Sequence, residues 1–130
     1  METGKRGGVV LRVEGRLRFI PASVAVRVAP PPRLTPVPGA PPELLGVTLH
    51  DGVIVPVIAI GPARGEMVVC QHAGELLGLV GGEIVRTGAF DPASEQPERV
   101  LYEGQPATPL DVPAIYAGVQ ARARPARLGT

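Results

Sequence analysis

The stretch from Arg18 to Ile60, RFIPASVAVRVAPPPRLTPVPGAPPELLGVTLHDGVIVPVIAI, decides the fold class. Short β-branched runs, a proline-rich connector and an Asp-Gly pair follow one another in it, and no helical period of apolar residues appears. Seven prolines lie between positions 30 and 42, and they remove so many N–H donors that neither a helix nor a central strand can persist there. The stretch therefore predicts short strands separated by turns and by one extended loop.

The apolar runs of the chain are arranged as hairpins. Leu44–Leu49 and Val53–Ile60 flank Asp51-Gly52, and Asp-Gly between apolar runs is the strongest local hairpin signal. Pro56 interrupts the second of these runs, so it requires a strand edge or a bulge. The same reasoning predicts three further hairpins, with turns at Glu14-Gly15, Ala73-Gly74 and Glu103-Gly104.

The pattern of short strands and glycine turns is typical of an all-β sandwich or barrel. It restarts after the break at Gly61–Gly65, which predicts two small sub-barrels that share one core and meet near residues 61–65. Val112, Ile115, Tyr116 and Val119 have the spacing of one helix face, so a short C-terminal helix is expected. The domain is predicted to span 9–121, with a flexible N-terminus over 1–8 and a flexible tail over 122–130.

Composition excludes several classes of function. The 130 residues correspond to one domain with an aliphatic core, because 45% are hydrophobic and only 3% aromatic. A net charge of +1 provides no field that would recruit nucleic acid or an anionic membrane surface. The single cysteine excludes an internal disulfide, and neither a signal peptide nor a membrane-length apolar run is present. These features predict a cytoplasmic protein without direct membrane insertion.

No catalytic or metal-binding constellation stands out. Cys70 and His72 lie two residues apart on a predicted strand, but no third group accompanies them, so buried packing is the favoured interpretation of Cys70. His50 and Asp51 lie in a turn, where neighbouring side chains are expected to point apart and stay hydrated. The glycines of 78–83 do not have the spacing of a phosphate-binding loop, and they favour a strand with close backbone approach. We predict a protein that is not an enzyme and needs no cofactor.

Four elements in the first half of the chain form a recognisable pattern. Thr35–Pro38 reads T-x-[VI]-P, and Gly46-Val47 forms a G-V pair. Gly52 is a turn glycine, and an apolar strand, Val53–Val57, follows it. This pattern resembles the CheW-type domain, the adaptor module of bacterial chemosensory arrays. The resemblance extends from Val9 to about Tyr116 and implies two SH3-like five-stranded sub-barrels on a shared core, with a short C-terminal helix.

The resemblance also implies a function and a set of partners. It indicates a non-catalytic adaptor that couples the cytoplasmic tip of a methyl-accepting chemoreceptor to the regulatory domain of a CheA-type histidine kinase, or that engages only one of them. The alternative is a small-ligand-binding or regulatory β-barrel module of another class, which a pocket with convergent polar groups would favour. The positions that the resemblance assigns to partner binding are Arg27, Val28, Gly46, Asp51 and Gly52.

Two charges are reversed relative to the family pattern. When the family pattern is aligned with this chain from Thr35 without gaps, the position of the family glutamate is occupied by Arg27. The position of the family arginine is occupied by Asp51. Ala59 replaces a further family aspartate, and Gly81-Gly82 replaces a valine-aspartate pair. Because both charges change sign together, their mutual attraction is kept, and we predict that Arg27 and Asp51 form an ion pair with swapped polarity.

Overall fold

The computed structural model of the protein describes residues 4–62 and 64–123, in which ten strands precede one helix. The elements are β1 (Arg6–Val13), β2 (Arg16–Pro21), β3 (Ala25–Ala29), β4 (Leu44–His50), β5 (Val53–Ala59), β6 (Met67–His72), β7 (Glu75–Val80), β8 (Glu83–Phe90), β9 (Val100–Tyr102), β10 (Gln105–Pro109) and α1 (Val112–Ala123).

The strands form two five-stranded sheets. The first sub-barrel has the order β8-β1-β2-β10-β9, and the second has the order β3-β6-β7-β5-β4. Most neighbouring strands are antiparallel, while β2 with β10 and β5 with β7 are parallel. This architecture confirms the predicted all-β fold with two five-stranded sub-barrels and one short C-terminal helix.

The predicted hairpins are present with the predicted turns. Both central residues of each of the four turns have positive φ, near 50° at the first residue and near 80° at the glycine. The four pairs are Glu14-Gly15, Asp51-Gly52, Ala73-Gly74 and Glu103-Gly104. These values match the two-residue turns whose twist suits antiparallel strands. Pro56 lies on a local edge, since it precedes the part of β5 that pairs with β7, which begins at Val57.

The chain does not pass between the sub-barrels near residues 61–65, where the restart of the hairpin pattern predicts the passage. β5 and β6, the strands on either side of Gly61 and Gly65, belong to the same sub-barrel, and the chain crosses at 22–24 and again at Gly81-Gly82. The reason is that β6 and β7 add to β3 and β5 instead of starting a new sheet. A restart of the hairpin pattern shows where a hairpin begins but not which sheet it joins.

A shared core joins the two sub-barrels. It contains Val9, Leu11 and Ile20 from the first, Ile58, Val68, Cys70, Leu77 and Leu79 from the second, and Val112 and Val119 from α1. Each sub-barrel also has a smaller cluster of its own, which in the first includes the edge-to-face pair Phe19 and Phe90. The predicted sharing of one core is therefore confirmed.

The C-terminal helix has the predicted buried face and cap. Val112 and Val119 are 1% and 6% exposed, and the Asp111 carboxylate accepts a hydrogen bond from the Ala114 N–H at 3.1 Å. Arg122 contacts the Glu43 carboxylate at 2.8 Å and lies within the helix, so the predicted tail does not begin at 122.

The first strand also extends further than the predicted domain start. β1 begins at Arg6, and the Arg6 guanidinium donates hydrogen bonds to the carbonyls of Pro97 and Glu98. Residues 6–8, expected to be flexible, therefore belong to the sheet. Of the rest of the expected flexible ends, residues 4 and 5 are described and precede the strand, whereas 1–3 and 124–130 lie outside the described residues.

Candidate partner-binding surface

An open groove of about 390 Å³ lies between the two sub-barrels. We call it the inter-barrel groove; Gly7 and Gly8 of β1 and Gly88 of β8 line one wall, and Ala25, Val26 and Val28 of β3 line the other. The three glycines carry no side chains, so a docked segment can approach the backbone closely at their positions. Val26 is 53% exposed, so the groove presents a large aliphatic side chain to solvent.

Two of the wall glycines have different structural roles. A Cβ atom at Gly8 would collide with the carbonyl oxygen of Ile20 and with the Phe19 ring, so the fold itself requires glycine there. A Cβ atom at Gly7 would meet only ordinary contacts, the nearest at 3.7 Å. The fold thus requires one glycine, and the other leaves the groove wall flat.

An ion pair lies at the rim of this groove. Arg27 Nη1 on β3 lies 3.4 Å from Asp51 Oδ2 in the β4–β5 turn, which confirms the predicted pairing of the two reversed charges. The two side chains are 55% and 69% exposed, so solvent screens their attraction and the pair contributes little to stability. Its main effect is to set which charge is presented at this end of β3.

His50 also approaches the Asp51 carboxylate. Its Nε2 lies 3.6 Å from the same Oδ2 that Arg27 contacts, and its side chain is only 15% exposed. The expectation that the two side chains point apart is therefore wrong, and the expected hydration holds for Asp51 but not for His50. The Asp51 carboxylate turns toward β3 to meet Arg27, and this orientation keeps it beside His50.

The other positions assigned to partner binding lie in different surroundings. Gly52 lies in the turn beside Asp51, and Val28 packs half-buried against the shared core. Gly46 is buried under the proline-rich loop, where a Cβ atom would lie 2.5 Å from the Thr35 carbonyl oxygen. The structure thus brings Arg27, Asp51 and Gly52 together at one end of the second sub-barrel. Gly46 is positioned to support the loop and not to contact a partner directly.

Sequence reasoning missed the exposed apolar side chains of the β4–β5 hairpin. Leu49 and Ile54 face each other across the two strands and are 71% and 69% exposed. Their neighbours Thr48 and Val55 are buried. The available signal was the alternation on either side of Asp51-Gly52, which places Leu49 and Ile54 together on the outer face.

Cys70 and His72 both lie in packed surroundings. Cys70 is fully buried in the shared core. The His72 ring packs edge-on against Tyr116 of α1 with 6.0 Å between centroids. Burial, and secondarily a hydrogen bond from the phenol to the Glu75 carboxylate, raises the pKa of Tyr116. Within residues 4–62 and 64–123, no group of three or more His, Cys, Asp or Glu side chains is placed to hold a metal ion.

The thiol of Cys70 is expected to be unreactive in the folded protein. Burial raises its pKa from 9.0 to about 12, so the folded state retains the proton that the unfolded state loses above pH 9. This contribution to stability is present below pH 9 and is lost as the pH rises toward 12. We expect iodoacetamide at pH 8 to label Cys70 only after denaturation, and Cys70→Ala to leave partner binding unchanged. Rapid labelling of the native protein would contradict the packing interpretation.

The ion pair can be measured with a double-mutant cycle. Arg27→Ala and Asp51→Ala should each change the free energy of unfolding by less than about 1 kcal/mol, and their coupling should be at most about 0.5 kcal/mol at low salt. The coupling should fall further in 0.5 M NaCl, because salt screens exposed charges. Urea denaturation of the wild type, both single variants and the double variant gives the four free energies of unfolding that the cycle requires. A coupling above 2 kcal/mol would show that the pair is not solvent-screened.

The fold and the surface define a small all-β domain with a largely apolar groove between two sub-barrels. The CheW-like domain family matches residues 7–110, which is most of the chain, and the chain belongs to this family. This membership supports a role as a chemotaxis scaffold or adaptor. No curated protein sequence matches the chain significantly.

A solved structure shares the fold. The scaffolding protein TtCheW from Thermoanaerobacter tengcongensis superimposes with a TM-score of 0.63 over 83% of this chain and 90% of that chain, at 15% sequence identity. At this identity the similarity shows the common fold. Among the described residues, no helix combines the length and apolar character needed to cross a membrane.

Proposed function

We propose that the protein is an adaptor that couples the cytoplasmic tip of a chemoreceptor to the regulatory domain of a CheA-type histidine kinase, or that engages one of the two. The observation that carries the proposal is the inter-barrel groove, which is open, mostly apolar and lined by strands of both sub-barrels. Grooves of this kind accept an amphipathic helix, whose apolar face covers the exposed side chains. Chemoreceptor tips are helical, so they have the required shape.

The groove is suited to hold a partner in a fixed orientation. Its walls belong to strands that are tied together by the shared core, so the two sub-barrels form one rigid support. The exposed side chain of Val26 supplies apolar contact on one wall, and the glycine wall permits close approach on the other. At the rim, the Arg27 and Asp51 pair presents a basic group on β3 and an acidic group on the adjacent turn. We propose that these charges select the partner, because charge at the rim of an interface governs specificity more than affinity.

A small-ligand site is a weaker fit to the groove. Arg27 and Thr87 are the polar side chains that line it in the described part of the chain. Ligand pockets place several convergent polar groups to fix the orientation of the ligand. Extended apolar walls with a charged rim favour a protein segment over a small molecule.

The proposal is tested by Val26→Glu. A carboxylate at this exposed position leaves the fold intact but places a charge against the apolar face of a docked helix. We therefore expect at least about a tenfold loss of affinity, which corresponds to about 1.4 kcal/mol. Isothermal titration calorimetry against the cytoplasmic receptor fragment and the kinase regulatory domain of the same organism measures the effect.

A matched control separates the groove from general surface effects. Val37 is 39% exposed on the proline-rich loop and does not line the groove, so Val37→Glu should bind as the wild type does. Equal losses in both variants would remove the groove from the interaction. Failure of the wild-type protein to bind either partner would overturn the proposed function.

A further inference from the structure

The second sub-barrel has an open seam. Its edge strands are β3 and β4, and the strand pairings of the described residues do not join these two edges. The seam is bridged at one end by the contact of Arg27 with Asp51 and at the other by the backbone bridge of Thr35 with Val47. Between the two bridges lies a cavity of about 710 Å³, here called the seam groove.

The β4 side of the seam groove carries unpaired backbone groups. The Val47 N–H donates to the Thr35 carbonyl at 2.9 Å, and the Val47 carbonyl accepts from the Thr35 N–H at 2.8 Å. These groups of Val47 therefore point away from β5. Because backbone direction repeats every second residue along a strand, the N–H and C=O of Leu49 point the same way. No hydrogen bond within residues 4–62 and 64–123 satisfies them.

The opposite side of the seam groove cannot supply the missing partner. It is formed by the end of β3 and by residues 30–33, of which the first three are prolines without N–H donors. The chain thus pairs with β4 at Thr35 and then diverges from it. The divergence leaves a strand-shaped gap beside Leu49, with backbone groups that favour a hydrogen-bonding partner.

The walls of the gap indicate which segment would fit. Leu49 and Ile54 form an exposed apolar rim, and Met67 and Ala29 lie deeper. The charged side chain that lines the groove is that of the exposed Arg33, and no carboxylate does so in the described chain. An occupant would therefore combine alternating apolar side chains with an acidic residue opposite Arg33.

We propose that the seam groove binds an extended acidic segment of a partner protein by strand addition to β4. The segment donates to and accepts from the backbone of Leu49, covers Leu49 and Ile54 with alternate apolar side chains, and places a carboxylate at Arg33. This binding mode is separate from helix docking in the inter-barrel groove. The proposal therefore stands or falls independently of the proposed adaptor function.

The test uses a short synthetic peptide in which valine alternates with threonine and a glutamate replaces the central threonine. Binding is measured by fluorescence anisotropy, and amide hydrogen exchange is followed by NMR. We expect saturable binding and slowed exchange of the Leu49 amide. A peptide with N-methyl groups on the strand edge that faces β4 should bind about fivefold more weakly, because it loses backbone hydrogen bonds.

Charge variants test the acidic specificity. Arg33→Glu should weaken binding of the glutamate peptide about tenfold and strengthen binding of a lysine counterpart, because an attraction becomes a repulsion. Arg16→Glu changes another exposed arginine, on the first sub-barrel, and should bind as the wild type does. Binding by the Val26→Glu variant should also be unchanged, which separates this site from the inter-barrel groove.

Three results would overturn the proposal. One is the absence of binding at millimolar peptide. Another is binding that N-methylation does not weaken, which would indicate apolar adsorption without strand pairing. The third is protection of the Leu49 amide that rises with protein concentration when no peptide is present, because it would identify a second copy of the chain as the occupant of the seam.

Discussion

Gly81→Ala is expected to lower the free energy of unfolding by about 3 kcal/mol or more, through backbone strain combined with overpacking. Gly81 has a φ of 112°, and a Cβ atom there would collide with the carbonyl oxygen of Gly61 and lie 2.5 Å from its nitrogen. Both opposing atoms belong to the backbone, so no side-chain rotation relieves the contact. Gly81 lies on a connection between the two sub-barrels, so the strain acts on their junction. Urea denaturation followed by circular dichroism measures the loss.

Gly15→Ala separates the two causes of that loss. Gly15 has a φ of 83° but no atom within 4 Å of the position a Cβ would take. Its substitution should cost only about 1 kcal/mol, the penalty of a left-handed conformation without a collision. If the two variants lose equal stability, the close approach of Gly61 and Gly81 is not the cause of the larger loss expected for Gly81→Ala.

Val119→Asp should cost about 3–5 kcal/mol, because it places an unpaired carboxylate in the shared core. Val119 is 6% exposed and packs in the same cluster as Val9 and Leu11 of the first sub-barrel and Leu77 of the second. The charge would therefore weaken the contact of α1 with both sub-barrels. A fall in the thermal midpoint, together with loss of partner binding at temperatures where wild type binds, is the expected result.

Gln120→Asp provides the matched comparison. Gln120 is the next residue of α1, and its side chain is exposed. The substitution therefore introduces the same negative charge at the same end of the helix, but in solvent instead of in the core. Its cost should stay below about 1 kcal/mol, since only the unfavourable interaction with the helix C-terminus remains. Similar losses for the two variants would mean that helix electrostatics, and not burial, determines the effect.

The hairpins could be predicted because their signals are local. Asp51-Gly52 between two apolar runs specifies a turn, and the register that follows brings Leu49 opposite Ile54. The contact of Arg27 with Asp51 joins residues farther apart, and it was found only because two charges departed together from a family pattern. The helix face of α1 was likewise visible in its spacing.

The inter-barrel groove and the seam groove could not be predicted in the same way. The first is formed by β1, β3 and β8, which are distant in the sequence and meet only through the order of strands in space. The seam groove depends on the point at which residues 30–33 diverge from β4. The prolines of this segment allow such a divergence, but they do not determine where it occurs. The prediction of a crossing at residues 61–65 was wrong for the same reason, because a local sequence pattern does not determine which sheet a hairpin joins.

The order of strands along the chain also affects how the protein folds during synthesis. All strands of the second sub-barrel come from one continuous segment, Ala25–Val80, whereas the first sub-barrel combines β1 and β2 with β8, β9 and β10. The inner segment can therefore pair its strands on the ribosome before the rest has emerged. The two early strands of the first sub-barrel must wait for their partners β8 and β10, with apolar faces uncovered. The second sub-barrel is thus an insertion within the first, and the early strands β1 and β2 are where a chaperone would be most useful.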